Sequence, residues 1–126
     1  MIYLDNAATS QKKPQAVYDA VLYAMGNMGN AGRSSYGASH SSSKTVFETR
    51  TLLTAFFHGN KASNCIFTKN STESLNIAIQ GSLAAGDHVI TTVMEHNSVL
   101  RPLYAMEKRG VELSYLSYSE ERGLHY

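Results

Sequence analysis

From Cys65 to Leu116 the chain alternates short β-prone runs with stretches of helical periodicity, and this alternation restricts the fold more than any other feature. The β-prone runs are Cys65-Ile66-Phe67-Thr68, His88-Val89-Ile90-Thr91-Thr92-Val93 and Val111-Glu112-Leu113-Ser114-Tyr115-Leu116. Between the first two, Leu75, Ile77, Ala78, Ile79 and Leu83 follow a helical pattern that Gly86-Asp87 closes. Between the last two, Val99, Leu100, Leu103 and Met106 do the same up to a stop at Gly110. Strand, helix, strand, helix, strand is the signature of parallel pairing, because parallel neighbours need a crossover that packs on the sheet. The expected fold class is therefore α/β, a mainly parallel sheet with helices on its faces.

Upstream, Val17, Val21, Met25 and Met28 recur at helical spacing behind Pro14, which predicts a helix ending between Gly26 and Gly29. Residues 26–37 are so rich in Gly, Asn and Ser that a loop is expected there. A second helix is expected over about residues 42–58, with Val46, Thr49, Leu53 and Phe56 on one face, widened by Phe47, Leu52 and Phe57; Gly59-Asn60 reads as its stop. At the other end, residues 117–126 leave a strand without reaching another helix. Three parallel strands leave an edge and a face uncovered, so the chain reads as the first piece of a larger α/β protein.

A length of 126 residues argues for one domain with a sizeable core that needs neither disulfide nor structural metal. Eleven Lys and Arg against ten Asp and Glu leave a net charge of +1, too little for the basic field that nucleic acid or an anionic membrane surface demands. Charged residues make up 17% of the chain, below the usual quarter, which leaves neutral surface open to burial against another subunit or domain. The single Cys65 has no disulfide partner, the opening Met-Ile-Tyr-Leu-Asp lacks the pattern of a secretion signal, and no apolar run approaches the roughly 20 residues that span a bilayer. A cytoplasmic protein is expected.

In open parallel sheets, ligands bind beyond the carboxyl ends of strands, where helix N-termini carry unpaired N–H groups. The first such turn is 68–74, where Asn70 and Glu73 have capping-box spacing and Ser71 and Thr72 offer N–H groups and hydroxyls that suit a phosphate. On spacing alone, an ordinary capped helix accounts for it better. The second is Met94-Glu95-His96-Asn97-Ser98, where an imidazole stacks on a flat ligand or moves a proton. A Ser98 cap with a solvated His96 beside it accounts for that turn equally well. Taken together, a phosphate cradle and an imidazole at the ends of two strands describe a site for a planar phosphorylated molecule.

Other features carry less. Gly26, Gly29 and Gly32 follow a helix rather than a strand and fit neither a dinucleotide fingerprint nor a phosphate loop. His40, His58, His88 and His125 lack ligand spacing with Cys65 or one another, so no metal site is expected. Cys65 reads as a small buried hydrophobe, Lys12 and Lys13 as a solvated helix entrance, and Arg33 as a surface arginine rather than a carboxylate holder.

Four segments in order resemble the N-terminal part of the class V aminotransferases, most closely the cysteine desulfurases: Ile2-Tyr3-Leu4-Asp5-Asn6-Ala7-Ala8-Thr9, Ser71-Thr72-Glu73-Ser74-Leu75-Asn76, Gly86-Asp87-His88-Val89-Ile90-Thr91 and Met94-Glu95-His96-Asn97-Ser98. The resemblance implies a fold-type I enzyme dependent on pyridoxal 5′-phosphate (PLP) that converts L-cysteine to L-alanine and an enzyme-bound persulfide. It implies phosphate binding at Ser71 and Thr72, ring stacking and proton transfer at His96, and a substrate side lined by Asn6, Ala7 and Ala8. It also implies a homodimer, a sulfur-acceptor protein as partner, an arm, first helix and loop over residues 1–38, and the start of the large PLP-binding domain over residues 39–126.

PLP chemistry needs a Schiff-base lysine and an acid at the pyridine nitrogen. In the family that lysine directly follows a histidine, and none of Lys12, Lys13, Lys44, Lys61, Lys69 or Lys108 does so; no aspartate follows Asp87. Nor does Cys65 match the family's persulfide cysteine. The 126-residue chain alone is therefore expected to be inactive. A selenocysteine lyase or an aminotransferase of the same group, and a non-catalytic module for protein association, are the alternatives.

Overall fold

Pro14 ends a segment that turns at residues 6–8 and caps helix α1 (Gln15–Asn27), its carbonyl accepting the Val17 N–H at 3.0 Å. A proline suits this place because the first turn would leave its N–H unpaired in any case. The computed structural model describes residues 2–32 and 36–125, so Arg33 lies outside the described residues.

Helix α2 (Gly37–Phe56) starts five residues before the expected Ser42. The cause is polar rather than apolar. Ser39 Oγ donates to the Asn30 carbonyl at 2.6 Å, Ser43 Oγ accepts the Gly32 N–H at 3.0 Å, and Ala38 O accepts the Gly29 N–H at 3.3 Å. The glycine-rich segment is thus bonded onto the first turns of α2, and Ser39 and Ser42 are buried there. Glycine suits the close approach at position 29, where a Cβ would lie 3.1 Å from Tyr36 Oη and 3.3 Å from the Ser39 nitrogen. Hydrophobic periodicity does not register such a helix start.

At its other end α2 does not stop on Gly59 as expected. His58 takes the left-handed conformation (φ 55°), its N–H bonded to Ala55 O at 3.1 Å and the Gly59 N–H to Thr54 O at 2.7 Å, the two bonds of a Schellman motif. A non-glycine residue pays roughly 1–2 kcal/mol for that conformation. His58→Gly is therefore expected to stabilise the chain by about 1 kcal/mol in thermal or urea unfolding; an unchanged or lowered midpoint would contradict it.

After the short 3-10 turn Ala62–Asn64, Cys65 is extended (φ −85°, ψ 111°), yet 65–68 forms no ladder with any described residue. The expected first strand is thus corrected to a segment without strand pairing among the described residues: β-prone side chains favour the conformation, but only a neighbouring strand makes it a strand.

Helix α3 (Ser71–Ser82), strand β1 (His88–Thr92), helix α4 (Asn97–Glu107) and strand β2 (Glu112–Leu116) follow in the expected order. β1 and β2 pair in parallel, with His88 opposite Glu112 and Thr92 opposite Leu116, so the sheet has two strands where three were expected. Gly110 (φ 95°) turns α4 into β2, and its carbonyl accepts the Gly86 N–H at 2.8 Å, tying together the turns ahead of both strands. Leu103 and Met106 of α4 and Val111 beside β2 are the buried apolar core among the described residues. The tail carries an unexpected hairpin of β3 (Tyr118–Ser119) and β4 (Gly123–Leu124), closed by a 2.9 Å bond between Ser119 Oγ and His125 Nε2.

Where the length argues for one domain, the contacts resolve two compact units, Met1–Ile66 and Phe67–Tyr126; the expected boundary between residues 38 and 39 falls within the first turn of α2. Among the described residues no helix is long and apolar enough to cross a membrane.

Candidate functional site

The second unit contains a cleft of about 480 Å³ lined by Thr72 and Asn76 of α3, by His96, and by Asn97, Ser98 and Arg101 of α4. Its volume lies within the usual range for small-molecule sites. Each helix supplies residues at i and i+4, Thr72 with Asn76 and Asn97 with Arg101, so each turns one face to the hollow.

Two capping arrangements shape the walls. Asn70 Oδ1 accepts the Glu73 N–H at 2.9 Å, while Glu73 Oε2 reaches back to the Lys69 N–H at 2.7 Å, a capping box displaced by one residue from the usual reciprocal pair. This leaves the N–H groups of Ser71 and Thr72 without a partner among the described residues. Asn76 Nδ2 donates to Thr72 O at 2.9 Å and its Oδ1 accepts from Gln80 at 3.1 Å, so the Asn76 amide is fixed along the helix.

At α4 the alternative of a Ser98 cap does not hold: His96 is the N-cap. Its Nδ1 accepts the Ser98 N–H at 3.1 Å and lies 2.9 Å from Ser98 Oγ. An imidazole nitrogen that accepts a backbone N–H is unprotonated, so the neutral ring carries its proton on Nε2. Ser98 was the better guess from cap statistics alone, since serine is a preferred cap and histidine is not. The cap also fixes the ring, and His96 remains exposed at the cleft.

Of the residues expected from sequence, Thr72 and His96 meet in this cleft, and Ser71 opens α3 immediately beside it without lining it. Asn6, Ala7 and Ala8 belong to the first unit, in an exposed turn where Asn6 Nδ2 donates to Tyr3 O at 3.3 Å and the Ala8 N–H to Asp5 O at 3.2 Å. Asn76, Asn97 and Arg101 were missed, although their i, i+4 relation to Thr72 and to the helix start was available as a signal. Among the described residues no carboxylate lines the cleft. Among the described residues no group of His, Cys, Asp or Glu converges to hold a metal ion. A second hollow of about 270 Å³ in the first unit, walled by Leu53, Phe57, Lys61 and Cys65 among others, is mainly apolar.

The family model for class-V aminotransferases matches residues 2–125. The chain belongs to this family. Among curated class-V relatives, a probable cysteine desulfurase of Synechocystis sp. is 33% identical over 96% of this chain and 30% of its own length. The cysteine desulfurase IscS of Dictyoglomus turgidum is 36% identical over 95% of the chain and 31% of its own length. Among solved structures, the apo cysteine desulfurase of Thermococcus onnurineus NA1 superposes with a TM-score of 0.81 at 30% identity, covering 98% of this chain and 32% of that one. The Escherichia coli cysteine desulfurase CsdA gives 0.70 at 28% identity, over 95% and 31%. The chain thus spans about 30% of the length of the relatives it matches, their N-terminal portion.

Proposed function

We propose that this chain forms part of the cofactor site of a PLP-dependent cysteine desulfurase, which takes sulfur from L-cysteine and leaves L-alanine and an enzyme-bound persulfide. The observation that carries the reading is that Thr72 and His96, each noted for its own chemistry, line one hollow. The donor set suits PLP. A hydroxyl, unpaired helix N-terminal N–H groups and a guanidinium, with no carboxylate among the lining residues, fit a phosphate dianion, and an exposed imidazole fits a flat ring.

When bound, PLP supplies the electron sink for breaking bonds of an amino-acid substrate. In this reading Thr72 Oγ1 and the N–H groups of Ser71 and Thr72 hold the phosphate. His96 presents its face to the ring and holds a movable proton at Nε2, because Nδ1 is engaged by Ser98. Asn6, Ala7 and Ala8 line the substrate side, supported by the resemblance of 2–9. Cysteine rather than selenocysteine as substrate is supported by the names of the curated relatives. The same proposal includes a homodimer, a sulfur-acceptor protein and a cytoplasmic setting, the last in keeping with one unpaired cysteine.

Thr72 is exposed, so its loss acts on the ligand rather than on the core. Thr72→Ala is expected to weaken PLP binding about tenfold in equilibrium dialysis, the effect of one hydrogen bond to a charged group, with unchanged helical circular dichroism. Equal affinity in the two proteins would remove Thr72 from the site.

A further inference from the structure

Among the described residues that line the cleft, Arg101 is the one formal cation, and the family resemblance does not account for it. Arg101 stands one turn beyond Asn97 on the same face of α4, and no hydrogen bond or ion pair engages its guanidinium among the described residues. Side chains on a helix lean toward its N-terminus, which brings Arg101 back toward the level of Asn97 and Ser98. Among the described residues no carboxylate in the lining neutralises it, and a guanidinium stays charged at every relevant pH.

Charge magnitudes indicate what such a cleft accommodates. A helix N-terminus behaves as about half a positive charge, and at the start of α3 the Glu73 carboxylate, bonded to the Lys69 N–H at 2.7 Å, offsets it, so the two helix starts fall well short of balancing a phosphate that carries close to two negative charges. Arg101 supplies a full positive charge from the cleft lining, and its planar fork matches two phosphate oxygens at once.

We propose that Arg101 is a specificity-determining residue that binds the phosphate of the cofactor jointly with the α3 N-terminus, so that the site selects phosphorylated pyridoxal over pyridoxal. The inference rests on reading the cleft as a PLP site, and the test separates the two. PLP, pyridoxal and inorganic phosphate are titrated into the full chain and into its Arg101→Gln, Arg101→Lys and Thr72→Ala variants, with circular dichroism recording the fold.

The wild type is expected to prefer PLP to pyridoxal and to bind inorganic phosphate. Arg101→Gln is expected to lower affinity for PLP and for phosphate about ten- to hundredfold while pyridoxal affinity stays within twofold, the loss of charge-assisted hydrogen bonds confined to the anion. Arg101→Lys restores part of the preference as a point charge without the fork, and this keeps the test decisive if the glutamine variant misfolds. A preference for PLP that survives in Arg101→Gln, or that is lost in Thr72→Ala alone, overturns the role of Arg101 and leaves the PLP reading intact. A wild type that binds neither PLP nor phosphate, or that does not distinguish PLP from pyridoxal, overturns the PLP reading and the inference with it.

Discussion

Under the proposed desulfurase function, replacing His96 with asparagine is expected to lower turnover of L-cysteine by about 10²- to 10⁴-fold, while α4 remains folded. Asparagine ranks among the best N-caps and can accept the Ser98 N–H that His96 Nδ1 accepts at 3.1 Å, so the helix start survives. What disappears is the ring, and with it the proton at Nε2, and general acid–base catalysis by a positioned side chain contributes about this range. His96→Ala adds a stability loss of about 1 kcal/mol, because the Ser98 N–H then lacks its acceptor. Comparing the two variants separates the cap from the ring. Turnover of His96→Asn within threefold of wild type would show that the imidazole does no chemistry.

The largest stability effect is expected in the second unit. Leu103 is 2% exposed and forms the buried apolar core with Met106 and Val111, so Leu103→Ala should cost about 2–5 kcal/mol in urea unfolding followed by circular dichroism. Against the roughly 5–15 kcal/mol of an ordinary domain, that is enough to abolish a cooperative transition in a marginal one. Leu52 on α2 is the control: at 71% exposure its truncation should change stability by less than about 0.5 kcal/mol. Equal losses at the two positions would contradict this placement of the core.

The elements that sequence predicted well are those whose signals are local. Pro14 ahead of α1, the periodicity of Leu103 and Met106, and the Gly110 turn each act within a few residues, and each predicted element is present. The misses depend on partners that no periodic pattern marks. Cys65 is extended, but pairing needs a strand that composition cannot supply. The early start of α2 depends on Ser39 and Ser43 bonding to the 30–32 segment, and hydroxyl contacts leave no periodic trace. The hairpin at 118–124 consists of strands of two residues, too short to show alternation.

In the site the same division holds. Thr72 and His96 line one cleft, and each stands at a helix start behind a β-prone run, a recurrent place for ligands, although spacing alone favours an ordinary cap at the first and leaves the second even. His96 as its own cap was not readable, because cap preferences favour Ser98 and only the geometry shows Nδ1 turned to the backbone. Arg101 lay four residues past Asn97, visible in principle once α4 had been given a face.

The most direct test is diffraction from crystals of the chain grown with PLP. The account predicts electron density for the phosphate against the N–H groups of Ser71 and Thr72, with the pyridine ring lying on the His96 imidazole. A phosphate held elsewhere, or a ring that leaves His96 facing solvent, would contradict it.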